Sequence, residues 1–205
     1  MMRKRVLLVP DGMADEPQAA LGGRTPLEAA DTPCMDGLAR GGVVGLVHTI
    51  PAGMAPGSDI GSLSVLGYDP AAVYCGRSPL EAVNIVDLAP DDASYRCNLV
   101  TVARGLLTDN TAGHLSNDEA HACFAALKEA LDDGDFEFHP GVTYRGLLVW
   151  RGGEVVPCTP PHDILDQPAA GYLPGVAAGV ADSPAAVRLT DLQRRADRYL
   201  SLIHI

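Results

Sequence analysis

Two kinds of apolar pattern divide this chain. Near the start, Val6 to Val9 form a short continuous apolar run closed by Pro10-Asp11-Gly12, and Val43 to Ile50 is strand-like. Short unbroken runs bounded by turn residues predict strands buried on both faces, as in a parallel sheet. Between them the period is helical. Thr25-Pro26-Leu27-Glu28 has the hydroxyl, proline and glutamate of a capped helix start. Thr32-Pro33 predicts a second helix with Met35, Leu38 and Ala39 on one face, stopped by Gly41-Gly42. Strand, helices and strand in that order predict the start of an α/β sandwich, with its loops at the strand ends where ligands bind.

From about Asn84 the texture changes. Asp87, Pro90, Asp91 and Asp92 make an acidic connector, Tyr95 to Val102 reads as a strand, and Thr108 to Gly113 as a loop. Ser116-Asn117-Asp118-Glu119 is a capping box followed by Ala120, Cys123, Phe124, Leu127 and Leu131 at helical spacing. Phe136 and Phe138 alternate with polar residues, and Val142 to Trp150 predicts another strand. Cys158 to Asp163 is a rigid turn that reads as a hinge, Pro168 to Gly179 a loop, and Ser183-Pro184 the cap of a last helix carrying Val187, Leu192, Ala196 and Leu200. That helix meets residues 201–205 without a cap, as expected of a piece of a longer chain. The predicted organisation is a first domain part over 1–83, an inserted α+β unit over 84–163, and a return to the first domain over 164–205.

Composition narrows the partners. Fifteen Lys+Arg against 26 Asp+Glu leave a net charge of −11, which disfavours nucleic acid and anionic membrane surfaces. No apolar run reaches the ~18 residues of a bilayer span, so a cytoplasmic protein with no membrane partner is expected. The five cysteines, Cys34, Cys75, Cys97, Cys123 and Cys158, lack any C-x-x-C spacing and are expected to be reduced.

Candidate chemistry concentrates at Pro51 to Ser62, a segment dense in proline and glycine that presents the hydroxyl of Ser58 beside Asp59. No histidine lies nearby to act as base, so a metal ion is the alternative activator, and Asp11 at the end of the first predicted strand is a fitting oxygen ligand. A short echo follows. Gly23-Arg24-Thr25-Pro26-Leu27-Glu28-Ala29-Ala30 recurs as Gly76-Arg77-Ser78-Pro79-Leu80-Glu81-Ala82-Val83, pairing an arginine with a helix start in a way that suits an anion. Arg96, Asp109, His114 and Arg145 are further candidates to line a cleft, and His162-Asp163 could supply a base or a metal ligand. Metal-assisted phosphoryl transfer and a non-catalytic anion-binding module both fit this inventory. A serine acyl hydrolase does not, because Gly57-Ser58-Asp59-Ile60-Gly61 departs from G-x-S-x-G.

Taken together, Val9-Pro10-Asp11-Gly12, Leu21 to Glu28, Pro56-Gly57-Ser58-Asp59, Leu66-Gly67-Tyr68-Asp69-Pro70, Gly76 to Ala82, Tyr95 to Thr101, the Ser116 helix, Tyr144-Arg145 and Pro160 to Asp163 resemble the archaeal-type cofactor-independent phosphoglycerate mutases. The resemblance implies an α/β fold: an alkaline-phosphatase-like sheet core, here incomplete, interrupted by a small α+β substrate-binding domain. It implies that Asp11 and Ser58 are metal ligands, that Ser58 takes the phosphoryl group, and that two divalent ions, Mn²⁺ or Mg²⁺, serve the complete enzyme. It further implies a small phosphorylated substrate, 2- or 3-phosphoglycerate, held by Arg77, Arg96, Asp109, Arg145 and His162. The chain departs from the archaeal pattern at Ser62, where histidine is usual, and over Thr108 to Gly113, where arginines are usual. A bacterial branch of the family, read also as a homoserine-kinase-like phosphotransferase, is therefore the alternative. The family's remaining Asp and His metal ligands have no match in these 205 residues.

Overall fold

The computed structural model describes residues 4–10, 12–200 and the backbone of 203–204. The chain forms two compact units, Met1–Tyr74 and Cys75–Ile205. The boundary thus falls ahead of the expected junction at 83/84, and the segment 164–205 belongs to the second unit.

The first unit is helical wherever it is regular. After a 3-10 turn at Ala19–Leu21 come α1 (Pro26–Ala29), α2 (Pro33–Gly41), α3 (Ser58–Val65) and α4 (Pro70–Val73). The capping box of α1 forms as the sequence predicts: Glu28 N–H donates to Thr25 Oγ1 at 3.1 Å, and Thr25 N–H to Glu28 Oε2 at 2.8 Å. α2 also forms, although the Thr32 hydroxyl donates to Asp36 instead of capping the helix, and Leu38 on its apolar face stays exposed.

The two strands expected here do not form. Residues 6–9 and 43–49 carry no ladder, and the side chains of 6–9 and 43–48 face solvent, with Val6 90% and Val43 fully exposed. The reason is physical: a strand buried on both faces needs strands at its sides and helices above and below, and the described part of this unit contains no other strand. Its buried residues among those described are Ile60 and Pro70.

The second unit is built in the opposite way. It contains α5 (Arg77–Ala82), β1 (Ala93–Leu99), β2 (Thr101–Ala103), β3 (Leu106–Asp109), α6 (Asn117–Leu131), β4 (Phe136–Pro140), β5 (Arg145–Trp150), α7 (Pro184–Leu200) and β6 (Ile203–His204). The main sheet has the order β4-β5-β1-β6, and every pairing in it is antiparallel. A parallel sheet, expected from the N-terminal runs, is absent among the described residues. β2 and β3 form a separate hairpin, whose Leu107 exchanges backbone hydrogen bonds with Asp166 and Gln167 and packs with Val100 and Ile164.

Strict alternation along β1 sends Ala93, Tyr95, Cys97 and Leu99 into the core, where they meet Phe124, Leu127 and Leu131 of α6 and Ala185, Leu189, Leu192 and Ala196 of α7. α7, expected to return to the first domain, instead packs its apolar stripe against α6 in this core. The predicted capping box of α6 is present, with Glu119 N–H donating to Ser116 Oγ and Ser116 N–H to Glu119 Oε2. Gly146 of β5 lets α6 come close: a Cβ there would stand 2.2 Å from the Phe124 ring. The Tyr95 phenol accepts from Val156 N–H and donates to the Glu154 carbonyl, which ties the chain leaving β5 to the core, and burial pushes its pKa up to about 12.

Arg151, directly after β5, is the electrostatic junction of this unit. Its Nε and Nη2 donate to the two carboxylate oxygens of Glu137 at 2.8 and 2.9 Å, and its Nη1 to Asp92 Oδ2 at 2.7 Å and to the Asp87 carbonyl at 3.0 Å. One guanidinium therefore joins β4 and the acidic connector, and bidentate charge-assisted geometry of this kind is the strong form of the ion pair. Hydrogen bonds from the Ala89 and Gly152 backbone and from Arg151 hold Asp92 below the usual carboxylate range, and Arg151 does the same for Glu137.

Two outcomes follow from this contrast. Residues 75–205 expressed alone fold cooperatively with dispersed amide resonances, whereas residues 1–74 alone show the narrow dispersion of a chain without a core, and the opposite result would contradict the packing described. Arg151→Met costs the second unit about 2 kcal/mol in urea unfolding near neutral pH. Because both carboxylates have folded-state pKa values below their unfolded ones, this stabilisation is full above the unfolded values and lost as pH falls through the folded ones. The gap between wild type and variant therefore narrows as pH falls below the usual carboxylate range.

Candidate active site

Ser58 is the first residue of α3, following Gly57 in an extended conformation (φ −168°, ψ 148°). The segment read from sequence as a turn is thus a turn at Pro51 to Met54 that leads into a helix N-terminus. The exposed Ser58 side chain consequently lies where the positive end of the helix dipole favours an anion. Asp59 lies beside it, and the Tyr74 hydroxyl donates to the Asp59 carboxylate. That bond ties the first turn of α3 to the residue just after α4, whose own start is capped by Asp69 accepting from Ala71 N–H at 3.1 Å. Tyr74 was not among the residues that the sequence singled out, since nothing in its local pattern marks it. Asp11 lies outside the described residues.

In the second unit, the face of the sheet opposite the core carries Ser94, Arg96 and Asn98 on β1. In register with them on β5 are Val149, Leu147 and Arg145. Arg145 stands directly across from Asn98, so it is the diagonal neighbour of Arg96, within reach of long side chains. The fold thus brings these two candidate arginines together. Arg145 lies over the Tyr144 ring, 5.3 Å from its centroid, and is otherwise exposed. At the other end of the same face, Ala82, Val86 and Leu88 of α5 and the turn after it cover Leu147 and Val149. Arg77 is exposed at the start of α5.

Asp109 and His162 are placed differently. The Asp109 carboxylate accepts from Thr111 Oγ1 at 2.6 Å, Thr111 N–H at 2.7 Å and Gly113 N–H at 2.8 Å, and these bonds lower its pKa. It organises a loop in which Ala112 and His114 take positive φ (50° and 57°), and much of its accepting capacity is spent there. His162 is exposed in a 3-10 turn at Pro161–Asp163, its Nε2 3.6 Å from Asp163 Oδ1. Arg24, the other member of the echo, donates from Nε to the Leu21 carbonyl of its own turn at 3.3 Å. All five cysteines are free thiols, and burial pushes those of Cys97 and Cys158 up to about 12, which leaves them unreactive.

A metal centre cannot be assembled from this inventory. Among the described residues, no group of three or more His, Cys, Asp or Glu side chains could hold a metal ion. The donors implied by resemblance, Ser58 with Asp11, are fewer than a divalent site needs.

Comparison with known proteins fixes the family. The sequence model of the 2,3-bisphosphoglycerate-independent phosphoglycerate mutases matches residues 39–202. The chain belongs to this family. The mutase of Methanosarcina barkeri is 48% identical over 179 residues, covering 86% of this chain and 45% of the relative, and a probable mutase of Geobacter sulfurreducens is 49% identical over 177 residues, covering 83% and 44%. A solved Pyrococcus horikoshii protein shares the fold, with a TM-score of 0.67 and 25% identity over 93% of this chain and 42% of its own. The chain therefore spans under half the length of the relatives it matches. The family match runs through Ser58 as well as Arg77, Arg96, Asp109, Arg145 and His162.

Asp109→Ala releases three donors at once. The expected result is fast amide exchange at Thr111 and Gly113 with a stability loss of about 1–2 kcal/mol, while exchange in the β1–β5 ladder stays slow. Continued protection at Thr111 and Gly113 would show that the loop is held by something else.

Proposed function

We propose that the protein interconverts 2-phosphoglycerate and 3-phosphoglycerate, a step of glycolysis and gluconeogenesis in the cytoplasm, through a phosphoserine at Ser58. The observation that carries this reading is the family match over residues 39–202, which takes in both the Ser58 helix start and the arginine face of the sheet. In the first half-reaction the bond from phosphorus to the substrate oxygen breaks as one to Ser58 Oγ forms, and the Ser58 hydroxyl proton passes to the leaving oxygen, so that glycerate stays bound. In the second, the other glycerate hydroxyl takes the phosphoryl group from Ser58, and its proton restores the Ser58 hydroxyl. A positive helix end at Ser58 favours the anionic group at that oxygen. Arg96 and Arg145 offer planar, bidentate donors suited to a carboxylate or phosphate, and Arg77 and His162 are further substrate-binding candidates on exposed turns. Asp109 acts by shaping its loop.

Two divalent ions, Mn²⁺ or Mg²⁺, would supply Lewis-acid activation and charge neutralisation. Asp11 and Ser58 are proposed as their first ligands, and the described residues do not complete a site. We further assign the runs 6–9 and 43–50 to an alkaline-phosphatase-like sheet whose other strands, like the remaining ligands, come from the part of the relatives' length beyond this match. The second unit would then serve as the substrate-binding domain, and the 205 residues alone would be inactive. The departures at Ser62 and at Thr108 to Gly113 favour, as a second reading, a homoserine-kinase-like transfer on the same Ser58 chemistry.

The test uses a protein of the relatives' full length. Incubated with 3-phosphoglycerate, it gains one phosphoryl group, mapped to Ser58 by peptide mass spectrometry, and turns over. Ser58→Ala abolishes both with the circular dichroism spectrum unchanged. Retained turnover in Ser58→Ala would refute the mechanism, phosphorylation of Ser58 without mutase turnover would favour the kinase-like reading, and anion binding with neither would leave a binding module.

A further inference from the structure

The echoed segments 23–30 and 76–83 differ in how their polar residues are used, and the difference points at Arg96. In the first copy, Thr25 and Glu28 cap their own helix reciprocally. Ser78 and Glu81 hold the same two places in the second copy and have the chemistry to do the same. They do not. α5 begins at Arg77 behind Gly76, and the Ser78 hydroxyl donates to the Ser94 carbonyl of β1 at 2.6 Å. Glu81 Oε1 lies 2.9 Å from Arg96 Nε, the side chains being 40% and 27% exposed. The Arg96 N–H is buried and not aligned for a hydrogen bond, so the contact is one of charges held side by side. Both capping residues are diverted from the helix to successive outward positions of one strand, while Ala82 anchors α5 on Leu147 and Val149. Ala82, the next residue in the helix, thereby seats Glu81 beside the arginine.

We propose that Glu81 is a positioning residue for Arg96, holding the guanidinium from its Nε side so that its terminal nitrogens are presented to the substrate anion beside Arg145. The inference rests on Arg96 binding substrate, as read above. Two effects of Glu81 oppose each other. Its charge repels an arriving anion, weakly because the pair is partly exposed and screened. Its contact removes the freedom of a long side chain, which would otherwise be lost on binding at a cost of a factor of about 2–10 in affinity. Ordering prevails.

In the full-length protein, Glu81→Ala therefore raises KM for 3-phosphoglycerate about fivefold with kcat within about twofold, and Glu81→Asp, which keeps the charge that makes the contact, restores part of the loss. Arg96→Ala raises KM further, and adding Glu81→Ala to it changes nothing, because the arginine being positioned is gone. Ser78→Ala, which cuts the other tie of α5 to β1, lowers stability and leaves KM unchanged. An unchanged or lowered KM in Glu81→Ala, additive effects of Glu81→Ala and Arg96→Ala, or a Ser78→Ala variant with the same KM defect would overturn the assignment. Should the unmutated full-length protein fail to turn over phosphoglycerate, the proposed function falls, and inorganic phosphate titrated into the 205-residue chain decides the role of Glu81. Weaker binding by Glu81→Ala than by wild type and Glu81→Asp supports it, and equal or tighter binding refutes it.

Discussion

A β-strand is defined by what lies beside it, because every N–H and C=O along an extended chain needs a partner outside that chain. The second unit satisfies this requirement internally: β1 bonds β5 on one side and β6 on the other, and β5 bonds β4. With the ladder closed, alternate residues can be committed to α6 and α7, and the core follows. The first unit has strand-like sequence at 6–9 and 43–49 but no neighbour for either run among the described residues, so the apolar side chains have no surface to meet. Propensity alone does not make a strand, and these two runs show the difference.

Much of the second unit was legible in the sequence because its signals are local. The Ser116 to Glu119 capping box, the spacing of Ala120, Phe124, Leu127 and Leu131, and the alternation at Phe136 and Phe138 each specify their element within a few residues, and each appears in the structure. Features that depend on distant partners were read less well. The reading of Ser58 as a turn residue missed that α3 starts there, and Tyr74 and Glu81 have significance only through Asp59 and Arg96. α7 was recognised as a helix, but the element it packs on is a matter of tertiary structure that its apolar stripe cannot state.

The candidate residues separate by how much of their bonding capacity the fold has consumed. Arg151 is spent on Glu137, Asp92 and a backbone carbonyl, and Asp109 on its own loop, so both act as internal ties. Arg145, by contrast, is exposed beside Tyr144 on the open end of a sheet face. The antiparallel register explains how residues far apart in sequence reach this end together. Arg96 and Arg145 are diagonal neighbours because β1 and β5 run in opposite directions, which sets Asn98, the last outward residue of β1, across from Arg145, the first of β5.

Trp150, the only tryptophan in the chain, sits at the end of β5 with 5% of its surface exposed. Its ring lies 5.1 Å from that of Phe136, and the Arg188 guanidinium from α7 lies 5.4 Å above it. The indole's emission is therefore a private channel for the second unit, blue-shifted by burial and sensitive to the seating of α7 through the cation resting on it. Events confined to the first 74 residues have no tryptophan of their own to report them. One fluorophore thus gives the 75–205 unit an optical label that needs no engineering.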